Sequence, residues 1–413
     1  MNYAVLYVNI LAIRNKELTM DRDQAATMMT NALKGFHGKF KLMYGQLCVR
    51  VDEYTFLSTG GNKVLADIDE DSYEVCDIST GELGEIFRSR RDINAILFGC
   101  SADTVSASEK ADSIPVTLED LARLTGSELK VIPDASASSI LSGLKDASVC
   151  LIKGTGAIAV GTNCRKAVAG MHIVEKACEA ENHGPMLGGT VPIEKALADQ
   201  FRKDFVSDYI NRNESPNPGY VEYDEAEFAV RGNIIDHGKE LVKRDLTYGS
   251  WGNLSVRLNE DEMLITPSSM DFFDIKIEDI VKVDINTLEY GKQRTPSTEV
   301  MMHAAAYREL PDCKAMIQTR SNAISVFAAC KAGFTLGEGE LQDLIGDVKV
   351  TPYAAPGSEE LAEAVVSTLK DTHACIIPHH GAVFYGPSLE VVLAIAEAVE
   401  LKARNLLNFD SGL

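Results

Sequence analysis

Gly252-Asn253-Leu254-Ser255-Val256-Arg257 decides the fold, because the chain carries this stretch twice. Gly45-Gln46-Leu47-Cys48-Val49-Arg50 reads against it, and Asp77-Ile78-Ser79-Thr80 reads against Asp284-Ile285-Asn286-Thr287 at the same displacement. One ungapped register covers both pairs, which is how a unit built twice shows itself in sequence. Further on, Val131-Ile132-Pro133 matches Val350-Thr351-Pro352. Ile152-Lys153-Gly154-Thr155-Gly156-Ala157 matches Ile377-Pro378-His379-His380-Gly381-Ala382, and Glu175 matches Glu400. The displacement grows partway, so the first copy lacks a stretch. By position that stretch holds Thr295 to Glu299 in the second copy.

Between the copies, Asn211-Arg212-Asn213-Glu214-Ser215-Pro216-Asn217-Pro218-Gly219 is polar and carries two prolines and a glycine, the composition of a linker. The expected division is therefore a first domain over 1–210, a linker over 211–219 and a second domain over 220–413. In the second copy, Asp224 to Lys243 places Phe228, Ile234, Ile235 and Leu241 on a helical stripe. Leu254-Val256-Leu258 and Met263-Ile265 alternate as strands. A helix carrying Val300, Met301, Ala304 and Tyr307 leads into a strand over 314–318. Helices are predicted over 322–329, 359–369 and 388–407, with Ser388 as N-cap, and strands over 374–378 and 382–385. Helices interleaved with a mostly antiparallel sheet give an α/β fold: two tandem α/β/α domains.

Composition excludes several partners. The 413 residues are 45% hydrophobic and 24% charged, ordinary for a globular chain of two to three domains. A formal charge of -21, with no basic cluster, repels phosphate backbones and anionic lipid, so neither nucleic acid nor membrane is an expected partner. Met1 to Leu11 is apolar but lacks a basic flank and is cut off by Arg14-Asn15-Lys16-Glu17, so it reads as a buried segment and not a signal peptide. The nine cysteines are scattered, without Cys-x-x-Cys, and suit reduced, core-filling thiols of a cytoplasmic protein.

Four motifs carry chemistry: the Gly252 stretch itself, Thr266-Pro267-Ser268-Ser269, Thr295-Pro296-Ser297-Thr298-Glu299 and His379-His380-Gly381. In this order and spacing they resemble the class II aldolase/adducin family, and its fuculose-phosphate aldolases in particular. The resemblance is strong from about Tyr220 to Leu407 and fainter from Met1 to Phe205. It implies reversible carbon–carbon cleavage of a phosphorylated ketose, with a divalent metal, zinc, stabilising an enediolate. It also implies phosphate or substrate binding by Asn253, Ser255, Thr266, Ser268, Ser297 and Thr298, and an acid/base role for Glu299. His380 falls where the family's third metal histidine stands. Asx and Ser/Thr turns also cap local backbone, and a glutamate in a first helical turn is favoured by the dipole alone.

Where the family has a His-x-His pair, this chain reads Gln318-Thr319-Arg320. Residues two apart on a strand share a face, so Gln318 and Arg320 keep the pair's geometry. Their chemistry differs: glutamine is a weak neutral ligand, and arginine stays protonated and offers no lone pair. Catalytic zinc takes three protein ligands, whereas Glu299 and His380 supply two. No zinc is expected at His380, and no other cofactor is called for. An inward Arg320 would stand in the metal's place and pair with Glu299. In the first copy Phe98-Gly99-Cys100 and Thr155 occupy these positions, no glutamate matches Glu299, and Lys153 to Ile158 is a repeat-derived turn and not a nucleotide loop.

Three functions stay open on the sequence: a lyase of altered mechanism using Glu299, Arg320 and His380; a non-catalytic binder of a small phosphorylated sugar or other small anion; and an adducin-like assembly protein. Family sites lie between subunits around a four-fold axis, so a chain with two copies is expected to form a homo-oligomer, a dimer of pseudo-four-fold symmetry.

Overall fold

A computed structural model describes residues 20–34, 43–61, 63–69, 72–211, 223–291 and 294–409. The segment at Met1 to Leu11 and most of the linker expected at 211–219 lie outside them.

The strands are β1 (Tyr44–Arg50), β2 (Thr55–Ser58), β3 (Lys63–Val64), β4 (Glu74–Asp77), β5 (Ala95–Cys100), β6 (Ser113–Pro115), β7 (Glu128–Ile132), β8 (Val149–Ile152), β9 (Gly156–Gly161), β10 (Asn253–Arg257), β11 (Glu262–Ile265), β12 (Val281–Asp284), β13 (Ala315–Thr319), β14 (Lys349–Val350), β15 (Ala374–Ile377) and β16 (Gly381–Gly386). They form two sheets of one topology. The first runs β4-β2-β1-β5-β9-β8-β7-β6, with β3 also on β1, and the second runs β12-β11-β10-β13-β16-β15-β14. In each, the paired strands are antiparallel apart from one parallel pair, β7 with β8 and β14 with β15.

Register makes the repeat exact to the residue. Gln46 faces Phe98 as Asn253 faces Gln318, Thr55 faces Asp77 as Glu262 faces Asp284, and Ile152 faces Gly156 as Ile377 faces Gly381. A one-residue slip would turn every buried side chain outward, so shared register means a shared buried face. The turn before each last strand is also the same. Gly154 and His379 both adopt left-handed backbone, φ 60° and 66°, and a Cβ on Gly156 or Gly381 would strike the carbonyl of Gly99 or Thr319. The glycines of Lys153 to Ile158 thus serve a strand turn.

The chain forms two compact units: the described residues up to Ile114 with Glu128–Glu175, and Pro115–Ser127 with Lys176 onward. In the second unit one sheet face buries Met263, Ile265, Val283, Met316, Cys375 and Val383 beneath the helices Val300–Glu309 and Glu359–Leu369. The helices Glu225–Lys243, Asn322–Cys330 and Leu389–Leu406 pack on the strands and on one another to complete the layers. The last begins as read, with the Ser388 hydroxyl accepting from Val391 N–H. In the first unit Cys48, Phe56, Ile96 and Cys150 lie beneath Gly81–Ser89 and Ala137–Gly143. One expectation needs correcting. Phe228 is exposed, so the opening helix buries a narrower stripe than its spacing suggests, through Ile234, Ile235 and Leu241. His379 itself lies in a turn between β15 and β16, where His380 N–H closes on the Ile377 carbonyl.

Candidate functional site

The sites form at strand ends of the second unit. Gly252 is needed where β10 begins: its φ is 89°, and a Cβ would lie 2.7 Å from the Gln318 carbonyl oxygen. That close approach sets Asn253 beside Gln318, and Asn253 Nδ2 donates to Gln318 Oε1 at 2.6 Å. The two Pro-Ser turns pair with each other, Ser268 N–H on the Thr295 carbonyl and Ser297 N–H on the Thr266 carbonyl, both at 3.0 Å. Thr266 Oγ1 takes the Leu254 N–H and Ser297 Oγ the Glu299 N–H, so these hydroxyls also hold their own turns. Ser268 is partly exposed and Thr298 exposed. Ser255 lies deeper, within a buried chain.

That chain includes a residue the motifs did not point to. His303 Nε2 lies 2.6 Å from Asn253 Oδ1, its Nδ1 2.6 Å from Ser255 Oγ, and Ser255 Oγ 2.6 Å from Tyr307 Oη. Burial pushes the His303 pKa down to about 3, so the ring is neutral. A neutral ring donates from one nitrogen and accepts at the other. Since Asn253 Nδ2 faces Gln318, its Oδ1 accepts from His303 Nε2–H, and Nδ1 accepts from Ser255. The helical spacing of His303 from Glu299, one turn apart on one face, was the available signal.

Arg320 points inward and is buried, its Nη2 2.9 Å from His380 Nε2 and its guanidinium carbon 5.5 Å from the centre of the Trp251 ring. Glu299 is also buried, accepting from Gly357 N–H, with Oε1 3.8 Å from His380 Nε2. The expected pairing of Arg320 with Glu299 is not the main one. The carboxylates whose charge most favours the guanidinium, against a burial that lowers its pKa, are Asp120 and then Glu119, with Glu299 behind them.

Both acids come from the segment Pro115–Ser127 that belongs with this unit. Its helix, Glu119–Thr125, starts where Glu119 N–H meets the His379 carbonyl at 2.9 Å. The Glu119 carboxylate closes on His380 Nδ1, and Asp120 pairs with the buried Lys176. Burial acts to raise the Glu119 carboxyl, but the charge and hydrogen bond of His380, then Arg320 and Arg123, outweigh it and hold it below its ordinary value. Asp120 is lowered likewise against burial, by Lys176 first and Arg320 next. Sequence reasoning missed Glu119, Asp120 and Lys176, since no motif or repeat match marks them. His379 turns away, Nδ1 on the Thr117 carbonyl at 2.9 Å.

A divalent ion does not fit this donor set. Arg320 puts a positive charge within hydrogen-bond distance of the one histidine in place, and Glu119 holds that ring's other nitrogen. The arrangement does suit an oxyanion. Arg320 Nε and Nη1 and Gln318 Nε2 are buried donors that find no acceptor among the described residues. Orphan buried donors are uncommon in folded proteins and mark places a ligand can satisfy.

The sequence pattern described as "Class II Aldolase and Adducin N-terminal domain" matches residues 27–182 and 232–407. The chain belongs to the class II aldolase and adducin family, with the fold present twice. It is 34% identical over 178 residues to the L-fuculose phosphate aldolase of Haemophilus influenzae, covering 41% of this chain and 78% of that one. It is 31% identical to the 5-methylthioribulose-1-phosphate/5-deoxyribulose-1-phosphate aldolase of Rhodospirillum rubrum, over 42% of this chain and 77% of the relative. A 3-oxo-tetronate 4-phosphate decarboxylase of Haemophilus influenzae is 26% identical, over 40% and 80%. Among solved structures, an L-fuculose 1-phosphate aldolase has 35% identity and a TM-score of 0.42, covering 45% of this chain and 88% of that one. The family usually uses a divalent metal. Among the described residues no helix is long and apolar enough to cross a membrane.

Proposed function

We propose that this protein is a carbon–carbon lyase for a small phosphorylated hydroxycarbonyl compound, in which Arg320 supplies the positive charge that a divalent ion supplies elsewhere in the family. The observation that carries the reading is the Arg320 guanidinium, 2.9 Å from His380 Nε2, with two further nitrogens that find no acceptor among the described residues. In cleavage a base takes the proton of the hydroxyl β to the carbonyl, and the carbon–carbon bond breaks to release an aldehyde. Its electron pair forms an enediolate, whose carbon is then reprotonated. Glu299 is the carboxylate for the proton transfers, Arg320 and Gln318 face the developing oxyanion, and Glu119 positions His380. The phosphate is assigned to Asn253 and the turns at Thr266, Ser268, Ser297 and Thr298. Fixed donors aimed at a developing charge are worth about 10²–10³ in kcat each.

The test is aldehyde release from ketose 1-phosphates after exhaustive chelation. Cleavage that persists in chelator and falls in Arg320→Ala supports the reading. Cleavage abolished by chelator and restored by one equivalent of zinc overturns it. A second reading, binding without turnover, is favoured by the Glu119 carboxylate already seated on His380. It predicts that sugar phosphate or phosphate raises the melting temperature by mass action while no aldehyde appears.

A further inference from the structure

Two arginines of the second unit are each held over an aromatic ring. The Arg320 guanidinium carbon lies 5.5 Å from the centre of Trp251, and that of Arg123 lies 5.8 Å from the centre of Phe201. Trp251 is in turn stacked with Phe205, ring centres 6.4 Å apart. A guanidinium over a ring face keeps the N–H groups of its own plane for other partners. Arg123 Nε is buried and, like Arg320 Nε and Nη1 and Gln318 Nε2, finds no acceptor among the described residues.

Arg123 follows Glu119 by four residues in the helix Glu119–Thr125, so the two share a face one turn apart. That face is turned to His380, because the Glu119 carboxylate closes on His380 Nδ1 while Arg320 Nη2 meets Nε2 at 2.9 Å. The positive charge of Arg123 favours the Glu119 carboxylate and opposes that of Arg320. Like charges kept in range of each other cost free energy that an anion between them relieves. The acids already present are committed, Glu119 to His380 and Asp120 to Lys176. The four orphan nitrogens are all donors. A single enediolate oxygen faces Arg320 and Gln318 and leaves Arg123 Nε over, and the phosphate has its own donors at Asn253 and the Pro-Ser turns. What remains to be matched is a planar anion with two oxygens, which is the shape a guanidinium fork suits.

We infer that the substrate carries a carboxylate next to its reacting carbonyl, bound between Arg123 and Arg320. The substrate class is then a phosphorylated hydroxy-oxo acid and not a neutral ketose phosphate. The inference rests on the lyase reading for the carbonyl beside Arg320, and it adds Arg123 as the residue that selects the acid.

Trp251, over which Arg320 stands, is the sole tryptophan of the chain and reports binding without turnover. The probes are 3-phosphoglycerate, which has a carboxylate, and glycerol 3-phosphate, which has a hydroxymethyl group in its place. The wild type should bind 3-phosphoglycerate more tightly by about 10-fold, the worth of one hydrogen-bonded charge pair. Arg123→Met should weaken 3-phosphoglycerate to the level of glycerol 3-phosphate and leave the latter unchanged. Arg123→Lys keeps the charge without the fork and should keep only part of the preference. A general loss of structure weakens both probes alike, so the ratio separates recognition from folding. Equal affinities in the wild type overturn the carboxylate and leave the lyase reading standing. A folded Arg123→Met with the wild-type preference overturns the role of Arg123, as does Arg123→Lys with that preference where the methionine variant does not fold. No change in Trp251 fluorescence or melting temperature with either probe overturns this inference and the phosphate pocket of the lyase reading together.

Discussion

The Lys176–Asp120 pair offers the sharpest test of how the site is held. Both side chains are nearly inaccessible, 2% and 1% exposed, and the Lys176 ammonium also reaches the Arg320 carbonyl at 3.4 Å. Lys176→Met keeps most of the stem volume and removes the charge. Asp120 then keeps the Leu121 N–H at 2.8 Å and the charge of Arg320, but loses its main counter-ion. Breaking a buried pair from one side costs about 3–5 kcal/mol, because an uncompensated charge stays in low dielectric. The remaining Arg320 charge places this variant near the lower end, about 3 kcal/mol. Adding Asp120→Leu removes the stranded carboxylate, so the double variant should lose less than Lys176→Met alone. Trp251, the sole tryptophan of the chain, stands over Arg320 and reports this unit's urea unfolding. The sign with pH follows from the lowered Asp120 carboxyl. Its contribution is present above the ordinary carboxylate value and is lost as pH falls through the lower folded value. In Lys176→Met that loss should begin at higher pH. A single-variant cost below about 1 kcal/mol, or a double variant that simply adds two large losses, would refute the reasoning.

Three further outcomes follow from the same geometry. Gln318→His with Arg320→His rebuilds a His-x-His pair facing His380, so metal analysis should find about one equivalent of zinc in the double variant and not in the wild type. His303, whose pKa falls to about 3 from an ordinary 6.5, makes the native state less stable as pH drops from about 6.5 toward 3, by about 1.4 kcal/mol per unit. His303→Leu should be less stable at pH 7, since it strands Asn253 and Ser255, and its urea midpoint should fall less steeply across that window. Gly381→Ala, with φ 138° and a Cβ 2.2 Å from the Thr319 carbonyl oxygen, should lower the melting temperature and cost about 1–3 kcal/mol, whereas an unchanged melting temperature would contradict the strained turn.

The fold was legible because the signals that carry it are local and doubled. Alternation at Leu254-Val256 and at Met263-Ile265, the cap at Ser388 and the glycines at Gly156 and Gly381 each constrain a few neighbouring residues. The second copy then confirms the register of the first. What escaped was also local in character: Phe228 fits the helical period of its neighbours, and nothing within the helix tells which end of a stripe is left uncovered.

The site was legible only where it lies on the motifs. Strand period put Gln318 and Arg320 on one face, the family resemblance added Glu299 and His380, and the structure brings Arg320, His380 and Glu299 together. Glu119 and Asp120 could not, because they are more than 170 residues earlier in the chain than any of these, in a helix whose sequence is that of an ordinary amphipathic turn. Their partners explain why they matter. A guanidinium buried at Arg320 needs negative charge beyond Glu299, and a charge of that kind is costly unless it is paired. With Arg320 buried in Gln318-Thr319-Arg320, the unit requires anions from outside the motif set, and Glu119 and Asp120 meet that need. A variant that replaces Arg320 alone leaves Glu119 and Asp120 with less compensating charge, so Arg320→His should be less stable than the wild type, and adding Asp120→Asn, which strands the buried Lys176, should lower stability further.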